Sequence, residues 1–161
     1  MKFFRRVILV IVVLFVVSCS SDDGNAPNQN QEVVLVFGWF ADDSCSGDCA
    51  TIYKIDNDII YRDLGFNSPE GDIFQGDFQV IQNANYEDFE GLISQLPNEI
   101  LSEPNGYLDC PDCTDELGGF YIEYMVNDIT KTWRARNAQV PEYFENYRSL
   151  LVDKIAELNS L

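Results

Sequence analysis

Val33-Val34-Leu35-Val36-Phe37-Gly38-Trp39-Phe40 is short, almost wholly apolar, and rich in β-branched and aromatic side chains. A run of that kind suits a strand covered on both faces, because neither side of its pleat offers polar groups to water. It is expected to be central in a sheet, with Gly38 allowing a bend or bulge.

Strands on either side must then come from the rest of the chain. Thr51-Ile52-Tyr53-Lys54-Ile55 and Ile59-Ile60-Tyr61-Arg62 flank Asp56-Asn57-Asp58. Two β-rich runs joined by Asp and Asn, which tolerate turn backbones, make a hairpin. Gly119 to Met125 and Thr130 to Arg136 flank Val126-Asn127-Asp128 and predict a second one. The Gly- and Asn-rich residues 63–77 read as a loop, and Phe78 to Ile81 as a further short strand.

Two helices are expected. In the first, Asn85 caps a segment in which Phe89, Leu92, Ile93 and Leu96 form one apolar stripe, ended by Pro97, and 98–102 add a turn. In the second, Pro141 opens the first turn, and Phe144, Tyr147, Leu151, Ile155 and Leu158 continue one face to the end of the chain. The expected fold class is α+β, an antiparallel sheet built from hairpins with two helices packed on one face. Both hairpins turn on Asn-Asp-Ile, and Glu87-Asp88-Phe89-Glu90 matches Glu142-Tyr143-Phe144-Glu145. The match suggests two related hairpin-helix halves; chance likeness between two common hairpins is the competing reading.

Upstream of the domain, Lys2, Arg5 and Arg6 precede an unbroken apolar run from Val7 to Val17, short of the roughly 20 residues a helix needs to span a bilayer. Val16-Val17-Ser18-Cys19 ends that run and resembles a bacterial lipobox, whose cysteine is lipidated after cleavage. This divides the chain into a signal peptide at 1–18, a lipidated Cys19 with a polar acidic tether at 19–32, and one α+β domain at 33–161. Ser20-Ser21-Asp22-Asp23 after Cys19 resembles the export signal of Bacteroidota surface lipoproteins. It implies an outer-membrane lipoprotein exposed on the cell surface.

Charge narrows the partners. Losing those three of 10 basic residues from a chain with 27 acidic ones deepens the net charge from −17 to about −20. Such a surface repels nucleic acid, which binds by releasing counterions to cations. The expected partners are the membrane, through the lipid, and a protein, peptide or glycan.

Cys45, Cys49, Cys110 and Cys113 remain. An even number in an exported domain reads first as two disulfides, and four cysteines allow three pairings. Local pairs would hold loops at the start of each hairpin, whereas cross-pairs would close loops of roughly 60 residues worth about 4 kcal/mol of chain entropy. Four thiolates could instead hold zinc, which an oxidising compartment disfavours. A redox dithiol at Cys110 and Cys113 would need a nearby cation or helix N-terminus, and Asp109, Asp112, Asp115 and Glu116 instead favour the protonated thiol. Those four carboxylates also make calcium the one cofactor to consider, although the spacing matches no EF-hand and solvated loop charge explains it as well.

Histidine is absent, so Ser-His and Cys-His pairs and His-ligated metals are excluded, and no phosphate loop or dinucleotide fingerprint occurs. An enzyme is not expected. For recognition, Trp133 with Lys131, Arg134 and Arg136 is the densest basic and aromatic patch, and a sheet face carrying it is the expected contact site.

Cys45-Ser46-Gly47-Asp48-Cys49 before one hairpin and Cys110-Pro111-Asp112-Cys113 before another resemble uncharacterised small Bacteroidota-type lipoproteins with Cys-x-Gly-x-Cys and Cys-Pro-Asp-Cys segments. Ala50 stands where those proteins usually have proline. The resemblance implies the fold and the compartment, and carries no activity. The expectation is therefore an outer-membrane-anchored, non-enzymatic binding or accessory module. Its alternative is a metal-binding or thiol-active protein working through the cysteine and aspartate clusters.

Overall fold

The computed structural model describes residues 32–41, 45–46, 49–65, 69, 73–108, 110, 118–136 and 140–161. All of them fall within one compact unit, residues 31–161. Its strands are β1 (Val33–Phe40), β2 (Ala50–Asp56), β3 (Ile59–Asp63), β4 (Phe78–Val80), β5 (Gly106–Tyr107), β6 (Gly119–Val126) and β7 (Ile129–Arg136). They form one sheet in the order β4-β3-β2-β1-β6-β7-β5. The apolar octapeptide is thus the middle strand, with one hairpin on either side.

The sheet is mixed. Every described pairing is antiparallel except that of β5 with β7, which is parallel. This corrects the expected all-antiparallel sheet: β5 is only two residues long, too short to carry an alternating pattern. Gly38 also differs from expectation, because the register runs unbroken through it to Ile52 and Tyr121. There is no bulge. A Cβ at Gly38 would collide with the Thr51 carbonyl oxygen and lie 2.8 Å from Ile52 Cα, so glycine is needed for strand approach.

Asn57 and Asp58 have φ of 48° and 62°, and Asn127 and Asp128 have 50° and 64°. Both hairpins therefore close through two-residue turns with two left-handed residues, the geometry that matches strand twist. Asn and Asp tolerate it better than other side chains.

Alternation sends the two sets of strand side chains to different layers. Leu35, Phe37, Tyr53, Ile55, Ile60, Phe120, Ile122, Trp133 and Ala135 pack beneath the helical layer with Phe89, Leu92, Phe144, Tyr147, Leu151 and Leu158. The first expected helix is broken. A 3-10 turn at Tyr86–Asp88 precedes α1 (Gly91–Ser94), and Asn85 makes no side-chain cap hydrogen bond. Gly91 lies inside the expected helix, where glycine costs roughly 1 kcal/mol against alanine. Phe89 and Leu92 are nonetheless buried, so the stripe does its packing without a continuous helix.

The second expected helix forms as a 3-10 turn at Glu142–Phe144 followed by α2 (Glu145–Asn159), burying Tyr147, Leu151, Ile155 and Leu158. Arg62 on β3 holds its C-terminus. One guanidinium nitrogen donates to the Leu158 carbonyl at 2.8 Å and to the Tyr53 hydroxyl at 3.0 Å, and that hydroxyl donates to Asn159 Oδ1 at 2.8 Å. A cation on the last carbonyls satisfies orphan acceptors and opposes the helix dipole.

Candidate functional site

The register places loops at opposite ends of the sheet. Ala50, Phe40, Gly119 and Arg136 align as one row across β2, β1, β6 and β7. At the other end, Val33, Val126 and Ile129 align, and Asp56 faces both Val34 and Ile59. Both Asn-Asp turns therefore share the end at which the chain enters β1. The connections that contain Cys45, Cys49 and Cys110, and the one leaving Arg136, share the far end.

At that far end Cys45 and Cys49 are disulfide-bonded, with Cα atoms 5.7 Å apart, and the Ala41 amide donates to the Cys49 carbonyl at 2.7 Å. This local pairing removes two of the four thiolates that a zinc site would need. Cys110 is also disulfide-bonded, to a cysteine outside the described residues. Cys19, Cys113, Asp109, Asp112, Asp115 and Glu116 lie outside the described residues. Among the described residues, no group of three His, Cys, Asp or Glu is arranged to hold a metal.

The four residues of the expected basic and aromatic patch do not share a surface. Trp133 is fully buried under the helical layer. Lys131, two residues before it on the same face, donates to the Glu103 carbonyl at 3.1 Å. Arg134 and Arg136 point to the opposite face, because successive strand residues alternate.

That second face carries its own apolar cluster of Val34, Val36, Phe40, Ala50, Ile52, Phe74 and Tyr121. Over it lie polar contacts to the connection between β3 and β4. Glu123, 7% exposed, accepts from the Phe74 amide at 2.9 Å and from the Tyr121 hydroxyl at 2.6 Å through the same oxygen. Arg134, also 7% exposed, donates to the Pro69 carbonyl at 3.1 Å and sits 5.7 Å from the Tyr121 ring centre. Asp63 accepts from the Asp77 amide at 2.7 Å, closing the base of the connection. Burial pushes the Tyr121 phenol well above its usual value, and its bond to Glu123 and that carboxylate's charge push the same way.

Arg136 reaches the cysteine-bearing segment. Its guanidinium donates to Cys110 Sγ at 3.2 Å. The contact is set up by β5, which lies parallel beside β7 and continues through the Leu108 amide bonding the Arg134 carbonyl at 2.8 Å. No sequence signal near Cys110 points to a cation twenty-six positions away. Glu123 was missed for a different reason: as one carboxylate in a chain with 27 acidic residues, it has no mark of burial beyond its place inside a strand. Comparison with protein-family models, with curated proteins and with solved structures found no match.

Proposed function

We propose that this chain is an outer-membrane lipoprotein, anchored through Cys19 and exposed on the cell surface, that acts as a non-enzymatic binding or accessory module. Its partner is a protein, peptide or glycan. The observation that supports this reading is the polarity of the sheet: the chain enters at the end that carries the two Asn-Asp turns, and the disulfide-held connections lie at the other. A tether at Val33 would leave the far connections free to meet a partner, and recognition is commonly built on loops held by a rigid scaffold. Arg136, half-buried near that end, is the basic residue placed to take part, whereas Arg134 is buried against the β3-β4 connection. The matching turns on either side of β1 also support the view that the hairpins are related halves.

The anchor is tested in the native host by metabolic labelling with a palmitate analogue. Label on the wild-type chain, its loss in Cys19→Ala together with release from the membrane fraction, and digestion by protease added to intact cells would support the reading. An unlabelled wild-type chain, or one protected on intact cells, would overturn the anchor or the surface exposure respectively.

A further inference from the structure

We infer that β4 is the pairing edge for a second copy of this chain, joined antiparallel about Gln79 so that two sheets become one. The inference goes beyond the binding role and stands without it. β4 is an outer strand of the sheet, paired with β3 alone. The Asp77 carbonyl accepts the Leu64 amide at 2.9 Å, and the Ile81 amide donates to the Ile60 carbonyl at 2.9 Å. Antiparallel strands bond through alternate residues, so Asp77, Gln79 and Ile81 face β3 while the amides and carbonyls of Phe78 and Val80 point outward. Among the described residues nothing bonds those outward groups.

Edge strands are usually blunted by charge, proline, shortness or a cover. The opposite edge, β5, is only two residues long and has Pro104 two positions ahead of it. β4 has neither proline nor charge: residues 78–86 are all uncharged in a chain of net charge −17. Gln79 and Val80 are exposed. Of the large apolar side chains that stand exposed among the described residues, Ile59, Leu64, Ile73 and Val80 all lie on β3, β4 or the connection between them. Exposed apolar groups gathered on one side of a fold mark an interaction surface.

Self-complementarity selects the occupant. A two-fold axis through Gln79 sets Phe78 of each copy opposite Val80 of the other. Each copy then offers two amides and two carbonyls, so four bonds form and no outward group is left over. Asp77 of one copy meets Ile81 of the other, so no like charges are opposed across the join. Phe78 packs against the second apolar cluster, and Val80 is in register with Tyr61 on the same face. Aromatic and β-branched side chains opposed in this way favour pairing, and they continue that face across the axis. β4 is short, so the exposed apolar side chains beside it supply the rest of the association.

The test uses the full chain in the cells that make it, carrying Gln79→Cys, treated with a mild thiol oxidant and resolved without reductant beside the unsubstituted chain. Facing residues of a non-hydrogen-bonded antiparallel pair have Cα atoms about 4.5 Å apart, within the roughly 4.4–6.8 Å that a disulfide spans. A disulfide-linked dimer absent from the unsubstituted chain is expected. Gln82→Cys, also exposed but three residues from the axis, is expected to give none. Val80→Pro removes one outward amide per copy and no bond to β3, and should abolish the dimer from position 79. Circular dichroism of the purified chain reports whether it folds; if it does not, Val80→Lys, which puts a charge on the edge, takes its place. No dimer from position 79, as much dimer from position 82, or a dimer that neither Val80 variant reduces would overturn the inference. A disulfide from position 79 to a different protein, identified by mass, would put a foreign strand on this edge and overturn it as well.

Discussion

Glu123 and Phe74 are joined across forty-nine residues: the buried carboxylate accepts the Phe74 amide at 2.9 Å and so fastens the connection between β3 and β4 to the sheet. The same oxygen accepts the Tyr121 hydroxyl. Removing it leaves two donors without an acceptor where water does not easily reach.

Glu123→Ala is accordingly expected to cost about 3 kcal/mol, since hydrogen bonds to a charged group are worth roughly 1.5–3 kcal/mol each and unpaired buried donors add a penalty. Urea denaturation measures the loss. Amide exchange should rise at Phe74 more than in β1. Equal protection at Phe74 in both proteins would show that the apolar contacts of Phe74 suffice to hold the connection.

Trp133→Ala should strongly destabilise the fold before it tests any interface. The side chain is fully buried, and large-to-small aromatic substitutions in a core cost about 3–5 kcal/mol. Lys131→Ala should cost about 1 kcal/mol or less, through loss of the bond to the Glu103 carbonyl. Comparing their denaturation midpoints checks both values.

The contrast between those two residues shows what the sequence could and could not convey. Strand alternation, a continuous apolar run, Asn-Asp turns and an apolar stripe at helical spacing are local signals, and they carried β1, both hairpins and the closing helix. The face on which each residue of β7 ends is legible from the same alternation, which separates Trp133 from Arg134. What covers each face is not local. Glu123, Arg134 and the β3-β4 connection meet only once the sheet exists, and Arg136 meets Cys110 only because β5 runs parallel to β7. The broken helix at 86–94 has a smaller cause: the apolar stripe was correct, while Gly91 weakened the backbone that was to carry it.

Alkaline pH should destabilise the fold through its buried phenols. Burial raises Tyr121 and Tyr147 above their unfolded value of about 10. Below pH 10 both states keep these protons and the stabilisation is complete. Above it only the unfolded state ionises, so stability falls by about 1.4 kcal/mol per pH unit for each phenol until the folded groups ionise too. Tyr53, Tyr86 and Tyr124 are raised as well, so Tyr147→Phe is expected to lower the slope by the share of one phenol, about 1.4 kcal/mol per pH unit, measured by urea denaturation at several pH values above 10. A slope that Tyr147→Phe leaves unchanged would count against the burial of that phenol.

The turns offer a stabilising change. Asp58 and Asp128 hold φ of 62° and 64°, where a Cβ is strained and glycine is not. Asp58→Gly and Asp128→Gly create Asn-Gly turns and should each add about 1 kcal/mol, seen as a higher Tm. A lower Tm in both would mean that the aspartate side chains contribute more than the backbone strain costs.

Presentation of the disulfide-held end to a partner is the claim on which the proposed function rests. Its most direct test places a photo-crosslinking side chain at Ser46, exposed beside Cys45, or at Asn127, exposed in a turn at the opposite end, on intact cells. A discrete crosslinked species from position 46 and none from position 127 is the predicted result. A species from position 127 alone would contradict the account and put recognition at the end where the chain enters the sheet.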